Sequence, residues 1–403
     1  MTDLDPPEAS QAFRVPAYVL PVIVFSQFCG TSLWFASNGV LGELTDTFNL
    51  GPSALGHLTS SIQFGFISGT LVFALLALAD RFPPSRVFFW SAFLGALANL
   101  GMVWEGNTFT TLLVLRYITG FFLAGIYPVG MKIASDYYRK GLGTSLGYLV
   151  GALVLGTAFP HLLNIGSLGI PWKSILLVTS VLATLGGIMI WVLPDGPFRK
   201  PMERPEFAAF LLVFQKRGFR TSAFGYFGHM WELYTFWAFV PLILQTYLDS
   251  YPELEASTPL WSFIIIGIGG PACVLGGYLS RQMGVKRVAA ISLLLSGICC
   301  LLAPWAYLLP LEIFLLFLMF WGMVVIADSP LFSTLVAHHS AAQRKGTALT
   351  IVTSIGFAVT IVSIEAMGWL QKTFDTPMVY LLLALGPLFG LISLMMDKEK
   401  ATF

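Results

Sequence analysis

Long apolar runs broken by short polar turns repeat along nearly the whole chain of 403 residues. A helix needs about 20 mostly apolar residues to cross a hydrocarbon core of about 30 Å. On that measure the sequence predicts spans at 17–39, 53–79, 87–104, 109–132, 142–164 and 172–193. Six more follow at 221–247, 259–279, 286–308, 311–336, 347–370 and 378–396, making twelve. A sizeable polar stretch rich in Pro and basic residues falls between the sixth and the seventh. The expected organisation is therefore an N-terminal six-helix bundle over 1–193, a linker over 194–220 and a C-terminal six-helix bundle over 221–403. Within the linker, Glu206 to Arg217 suits either a short helix lying on the membrane surface or a plain connector.

The polar turns also repeat. Asp80-Arg81-Phe82-Pro83-Pro84-Ser85-Arg86 joins two apolar runs, and Ser280-Arg281-Gln282-Met283-Gly284-Val285-Lys286-Arg287 holds the same place about 200 residues later. Arg139-Lys140-Gly141 ends one run and opens the next, as Arg344-Lys345-Gly346 does in the second half. Basic turns at equivalent places in two hydrophobic halves mark a duplicated membrane bundle, the build of many secondary transporters.

Composition agrees with a membrane protein. Hydrophobic residues make up 56% and charged residues 11%, against about 45–50% and 25% in soluble domains. The net charge of +1 gives no bulk field to attract nucleic acid. Cys29, Cys273, Cys299 and Cys300 lie inside apolar runs without metal-ligand spacing. Asp3, Asp5 and Glu8 precede the first run with only Arg14 beside them, so that run is expected to persist as an uncleaved anchor. With both termini placed on the cytoplasmic side, 19 of the 22 Lys and Arg residues fall on inner segments. Lys173 and Lys372 fall outside, and Arg116 lies within a span. This asymmetry follows the positive-inside rule. Short loops suggest a bacterial cytoplasmic membrane.

The turn around Asp80 resembles the signature of the major facilitator superfamily, a Gly-x-x-x-Asp-Arg-x-Gly-Arg-Arg type loop between spans two and three. Asp80, Arg81 and Arg86 match in kind, whereas Leu76 and Pro83-Pro84 stand where glycines are usual. The second copy keeps Gly276, Arg281 and a basic pair, with Ser280 in place of the acid. Arg116 and Gly120 resemble the family's motif in span four, apart from Phe122. Span five carries Gly147, Gly151 and Gly156 without the Gly-Pro pair of the antiporter motif. The resemblance implies an all-α fold of twelve helices whose first, fourth, seventh and tenth spans line a central cavity. It also implies a cytoplasmic gate drawn from Asp80, Arg81, Arg86, Arg139, Arg281, Lys286 and Arg344.

An ionisable group at mid-membrane costs about 2.5–3.5 kcal/mol on insertion scales, so each demands a partner or water. Arg116, His229, Glu232 and Asp328 fall on the expected cavity spans. His229 and Glu232 stand three residues apart and are expected to share a face. A carboxyl that gains and loses a cationic neighbour can take up a proton on one side and release it on the other. Glu232 is ranked first for that role and Asp328 second, with His229 assisting. The alternative is a fixed Glu232–His229 or Asp328–Arg116 brace. Arg116 keeps its charge and is expected to be a counter-ion to an internal carboxylate, or else a receptor for an anionic substrate group. Gln27, Thr31, Trp34 and Asn38 form a polar and aromatic stripe expected to face the cavity. Tyr226, Trp231, Tyr234 and Trp237 cluster around the His–Glu pair, and Trp321 precedes Asp328 by seven residues. Gln63 is placed similarly on span two. Such walls suit a small, partly apolar organic substrate. His161 and Glu365, near the outer ends of their spans, read as an outer contact or as solvated caps.

Adjacent His338-His339 point apart on a helix and complete no metal site. No phosphate-binding Gly-x-x-x-x-Gly-Lys-Ser/Thr loop is present and no nucleophile–base constellation is visible. No cofactor, metal or enzymatic reaction is expected. The partners expected are a substrate, protons and lipid, for a chain working as a monomer. An uncoupled facilitator and a non-transporting sensor are the rival readings.

Overall fold

The computed structural model describes residues 15–138, 142–165, 170–199, 213–340, 345–374 and 376–396. Among them, nine helical segments are long and apolar enough to cross a membrane: Ala54–Leu75, Phe109–Tyr137, Ser145–Leu163, Trp172–Trp191, Thr258–Met283, Val285–Ala306, Leu311–His338, Ala348–Thr373 and Pro377–Met396. Spans one, three and seven are occupied by Val19–Thr31 with Ala36–Gly39, by Pro84–Gly101, and by Arg217–Ser250. Their order along the chain fits the expected twelve. Span three begins at Pro84, three residues before the expected start, because proline is preorganised for the first turn and has no N–H to leave unmet there. The 206–212 portion of the expected surface helix lies outside the described residues.

Several spans are interrupted. Span one stops at Thr31 and resumes at Ala36. Span four breaks between Leu123 and Tyr127, with Pro128 opening its second piece. Span eight breaks at Ile268 and span ten at Asp328, where Pro330 opens the second piece. Proline cannot continue an i→i−4 ladder, so a break before it is the expected local outcome.

The sequence duplication is repeated in the packing. A Cβ added at Gly120 of span four would sit 2.0 Å from the Ile62 carbonyl oxygen of span two. In the second half a Cβ at Gly322 of span ten would sit 2.0 Å from the Ile265 carbonyl oxygen of span eight. Each half thus uses a glycine at the equivalent crossing to bring two backbones together, the usual device where helices associate without a hydrophobic driving force.

The halves meet along two seams. Span two packs on span eleven, and span five packs on span eight. In the second seam Gly151 and Gly270 face each other: a Cβ on either would lie 3.2 Å from the other's carbonyl oxygen. Along the first, Thr70 Oγ1 and Ser354 Oγ share a hydrogen bond of 3.0 Å, and His57 Nδ1 lies 3.3 Å from Glu365 Oε1.

Candidate transport site

Between the seams the centre is filled by rings from both halves. Trp34 of span one packs against Phe66 of span two, with centroids 4.9 Å apart. It also meets Tyr234 of span seven at 5.6 Å and Phe357 of span eleven at 5.5 Å. Phe66 and Phe357 close to 4.4 Å, and Tyr234 lies 5.4 Å from Trp237, which in turn meets Phe35 edge-on at 6.5 Å. All these residues are buried. On span two, Thr59, Gln63, Phe66 and Thr70 recur at spacings that keep one helix face. Thr59 accepts a hydrogen bond of 2.9 Å from Asn38 Nδ2, and Thr70 bonds Ser354. Gln63 sits between them, fully buried, with neither amide atom hydrogen-bonded among the described residues. The indole Nε1 atoms of Trp34 and Trp237 are likewise buried with no partner among the described residues.

The break in span one explains how Trp34 is held. An interrupted helix leaves carbonyls without ladder partners. Arg116 donates from one guanidinium nitrogen to the Leu33 carbonyl at 3.1 Å and from another to the Trp34 carbonyl. Its side chain is fully buried, and among the described residues no carboxylate pairs with it. The expected counter-ion role is therefore corrected: the fork clamps backbone. Two donors fixed in one plane match two neighbouring carbonyls with a rigidity that the flexible ammonium of a lysine lacks.

The acidic residues of the second half separate in the same manner. His229 Nδ1 lies 2.8 Å from Asp328 Oδ1, both side chains buried, at ion-pair distance but out of hydrogen-bond alignment. Glu232 turns elsewhere. It accepts from Trp321 Nε1 at 2.6 Å and from Ser296 Oγ at 2.9 Å. A three-residue step leaves about 60° between side chains, and here that angle sends them to different neighbours. The alternative Glu232–His229 brace is not formed. Ser296 belongs to span nine, which packs on spans eight, ten and twelve of its own half. Glu232 is thus inside the C-terminal half, with Trp321 stacked on Phe236 at 4.4 Å beside it. Asp328 stands at the break of span ten, whose second piece touches span five of the other half.

Other expected residues fall as follows. Gln27 is buried against Gly130 of span four, both amide atoms without partners. Thr31 bonds the Gln27 carbonyl at 2.8 Å and fits beside Gly156 of span five. Trp231 leaves the cluster and donates to the Leu382 carbonyl at 3.0 Å. Glu365 meets His57 instead of His161, which is buried. Of the gate residues, Arg86 lies over the Trp191 ring at 5.8 Å and Arg281 over Tyr278 at 5.3 Å, while Arg81 is exposed. Lys286 lies in the first turn of span nine. Arg139, Arg344 and the side chain of Asp80 lie outside the described residues. Sequence reasoning missed Phe66 and Phe357. Phe66 had a signal, its three-residue spacing from Gln63; Phe357, within a uniformly apolar run, had none.

Twin helical halves, two packed seams and a closed aromatic centre define a multi-pass membrane transporter fold. The chain belongs to the Major Facilitator Superfamily, whose model matches residues 23–364 and again 222–402. No curated protein matches the sequence. Among solved structures, a bacterial homolog of the human lysosomal transporter Spinster, inward-facing and unoccupied, is similar at TM-score 0.67 and 15% identity, with 96% of each chain covered. The proton:xylose symporter XylE, bound to 6-bromo-6-deoxy-D-glucose, is similar at TM-score 0.73 and 15% identity over 94% of this chain and 95% of that one. The nucleoside transporter NupG gives 0.73 and 16%, covering 94% of this chain and 100% of its own. At these identities the likeness is one of fold.

Proposed function

We propose that the protein is a secondary active transporter that moves a small, partly apolar organic molecule by alternating access, coupled to protons. The observation that carries this reading is the closed centre itself. Aromatic walls from spans one, two, seven and eleven surround amide and indole groups of Gln63, Trp34 and Trp237 that find no partner among the described residues. A buried polar group left unpaired costs about 1–3 kcal/mol. A solute bearing hydrogen-bonding groups on an apolar frame would satisfy them, with Tyr234 and Asn38 at the rim and Arg116 holding Trp34 in position. The sugar and nucleoside transporters of the same fold are consistent with a solute of that size.

In this proposal 1–193 and 221–403 rock as units about the two seams, with 194–220 as their connector. Asp328, with His229 at ion-pair distance, carries the proton. It stands at a helix break beside the seam, where a rocking motion changes its surroundings. Glu232, held by Ser296 and Trp321 inside one half, is the second carboxyl and anchors span seven to spans nine and ten. The basic turns, with Asp80, Arg81, Arg86, Arg139, Arg281, Lys286 and Arg344, close the cytoplasmic side, where both termini lie. The unit is a single copy.

The test begins with a thermal-shift screen of the purified chain against metabolites and drugs, since a ligand stabilises the native state by mass action. Proteoliposomes then measure transport of the ligand found. Wild type is expected to accumulate it under an imposed pH gradient. Asp328→Asn is expected to lose accumulation while retaining exchange of labelled for unlabelled ligand. Exchange without accumulation in wild type would mean an uncoupled facilitator, and accumulation by Asp328→Asn would remove Asp328 from the proton path.

A further inference from the structure

The clamp on span one accounts for only part of Arg116. Its two terminal nitrogens serve the Leu33 and Trp34 carbonyls, yet Nε, also buried, has no partner among the described residues. Carbonyl dipoles satisfy N–H donors without cancelling a charge. Arginine stays protonated, and a buried charge without a counter-charge is among the costliest groups a fold can hold. Among the described residues the buried carboxyls are Asp136, Glu232 and Asp328. Each is engaged elsewhere: Asp136 by Lys132, Glu232 by Trp321 and Ser296, and Asp328 by His229.

The unsatisfied groups beside this charge share one character. Trp34 and Trp237 each present an indole N–H, which can only donate, and Gln63 presents an amide NH2 beside its carbonyl. Apart from Gln63 Oε1, these groups and Arg116 Nε are all donors. Trp34 joins them: its backbone carbonyl receives the guanidinium, while its ring packs against Phe66, Tyr234 and Phe357. The Trp34 ring lies within 28° of parallel to Phe357 and within 31° of parallel to Tyr234. Donors gathered beside one uncompensated positive charge complement a carboxylate, which brings two acceptor oxygens, one negative charge and no donor.

Resting on the reading of this centre as the transport site, we propose that the solute is an organic monoanion, a carboxylate on a flat apolar frame. The frame lies among the rings of Trp34, Tyr234 and Phe357, and the carboxylate takes the indole and amide donors within the field of Arg116. One guanidinium selects one negative charge, since a phosphate dianion would leave a charge uncompensated at the same burial. An organic cation meets like charge and donors that it cannot satisfy. A neutral amide of the same frame accepts from some donors and leaves the charge unanswered.

Calorimetric titration of the full-length protein in detergent with two matched series tests this. The first is phenylacetate, phenylacetamide and phenethylamine; the second is indole-3-acetate, indole-3-acetamide and tryptamine. In each series the carboxylate is expected to bind about tenfold tighter than the amide, the increment of a hydrogen bond made to a charged group, and the amine is expected not to bind. Arg116→Met should abolish the preference for carboxylate over amide, which Arg116→Lys should keep. Trp237→Phe, which retains a ring and removes one donor, should weaken carboxylate binding about fivefold. Thermal midpoints check that each variant is folded, and Trp237→Phe decides the matter if Arg116→Met does not fold. An amide that binds as tightly as its carboxylate, a preferred amine, unchanged affinity in Trp237→Phe, or binding by no member of either series would overturn the proposal. Transport of a cation or a neutral solute would also overturn it and leave secondary transport standing. A bound carboxylate that fails to accumulate under a pH gradient would remove proton coupling and leave the assignment of the solute standing.

Discussion

Arg116 carries a permanent charge into a region closed to water, and two backbone carbonyls receive it. Replacing it with Met leaves the Trp34 carbonyl unmet, at about 1–3 kcal/mol, and the Leu33 carbonyl with only the long 3.5 Å bond from the Ala36 N–H. The thermal midpoint of Arg116→Met in detergent is expected to fall clearly below wild type, with Arg116→Lys between them because its flexible ammonium keeps the charge and donors but not the preorganised fork. A midpoint equal to wild type would show that the break in span one does not depend on the clamp. Glu232→Ala is expected to behave similarly, since it strips the acceptor from Trp321 Nε1 and Ser296 Oγ. The ionisable residues were legible in the sequence, since each is costly in a membrane and therefore conspicuous. Their partners were not. A three-residue step cannot say which of two neighbouring helices a side chain reaches, and the carbonyls freed by the break at residues 32–35 announce themselves by no residue type.

Helix crossings carry the duplicated architecture. Gly120 and Gly322 occupy equivalent places in spans four and ten, each against the carbonyl of a neighbouring span. A side chain at either must push two backbones apart. Gly120→Val and Gly322→Val are expected to give little folded protein on size-exclusion chromatography, whereas Gly277→Ala, with open space around its Cβ, should fold as wild type does. Normal yields of both valine variants would argue against the crossings. The spans were readable from apolar run length, and the repeated basic turns revealed the duplication. The interruptions in spans four and ten had a signal in Pro128 and Pro330. That in span one had none, because Ser32, Leu33 and Trp34 do not themselves break a helix.

At the scale of the whole molecule, the seams between spans two and eleven and between spans five and eight are where the proposed rocking of the halves would register. All four cysteines are buried, so introduced cysteines on the surface can be spin-labelled selectively. The most direct measurement is the pair of inter-label distances across the two faces of the membrane, with labels at positions 51 and 372 on one and at 82 and 282 on the other. Between pH 8 and pH 5.5 the two distance distributions are predicted to change in opposite senses, one lengthening as the other shortens, and Asp328→Asn is predicted to hold both fixed. Distributions that stay the same at both faces in wild type, or that move alike in Asp328→Asn, would contradict proton-linked alternating access.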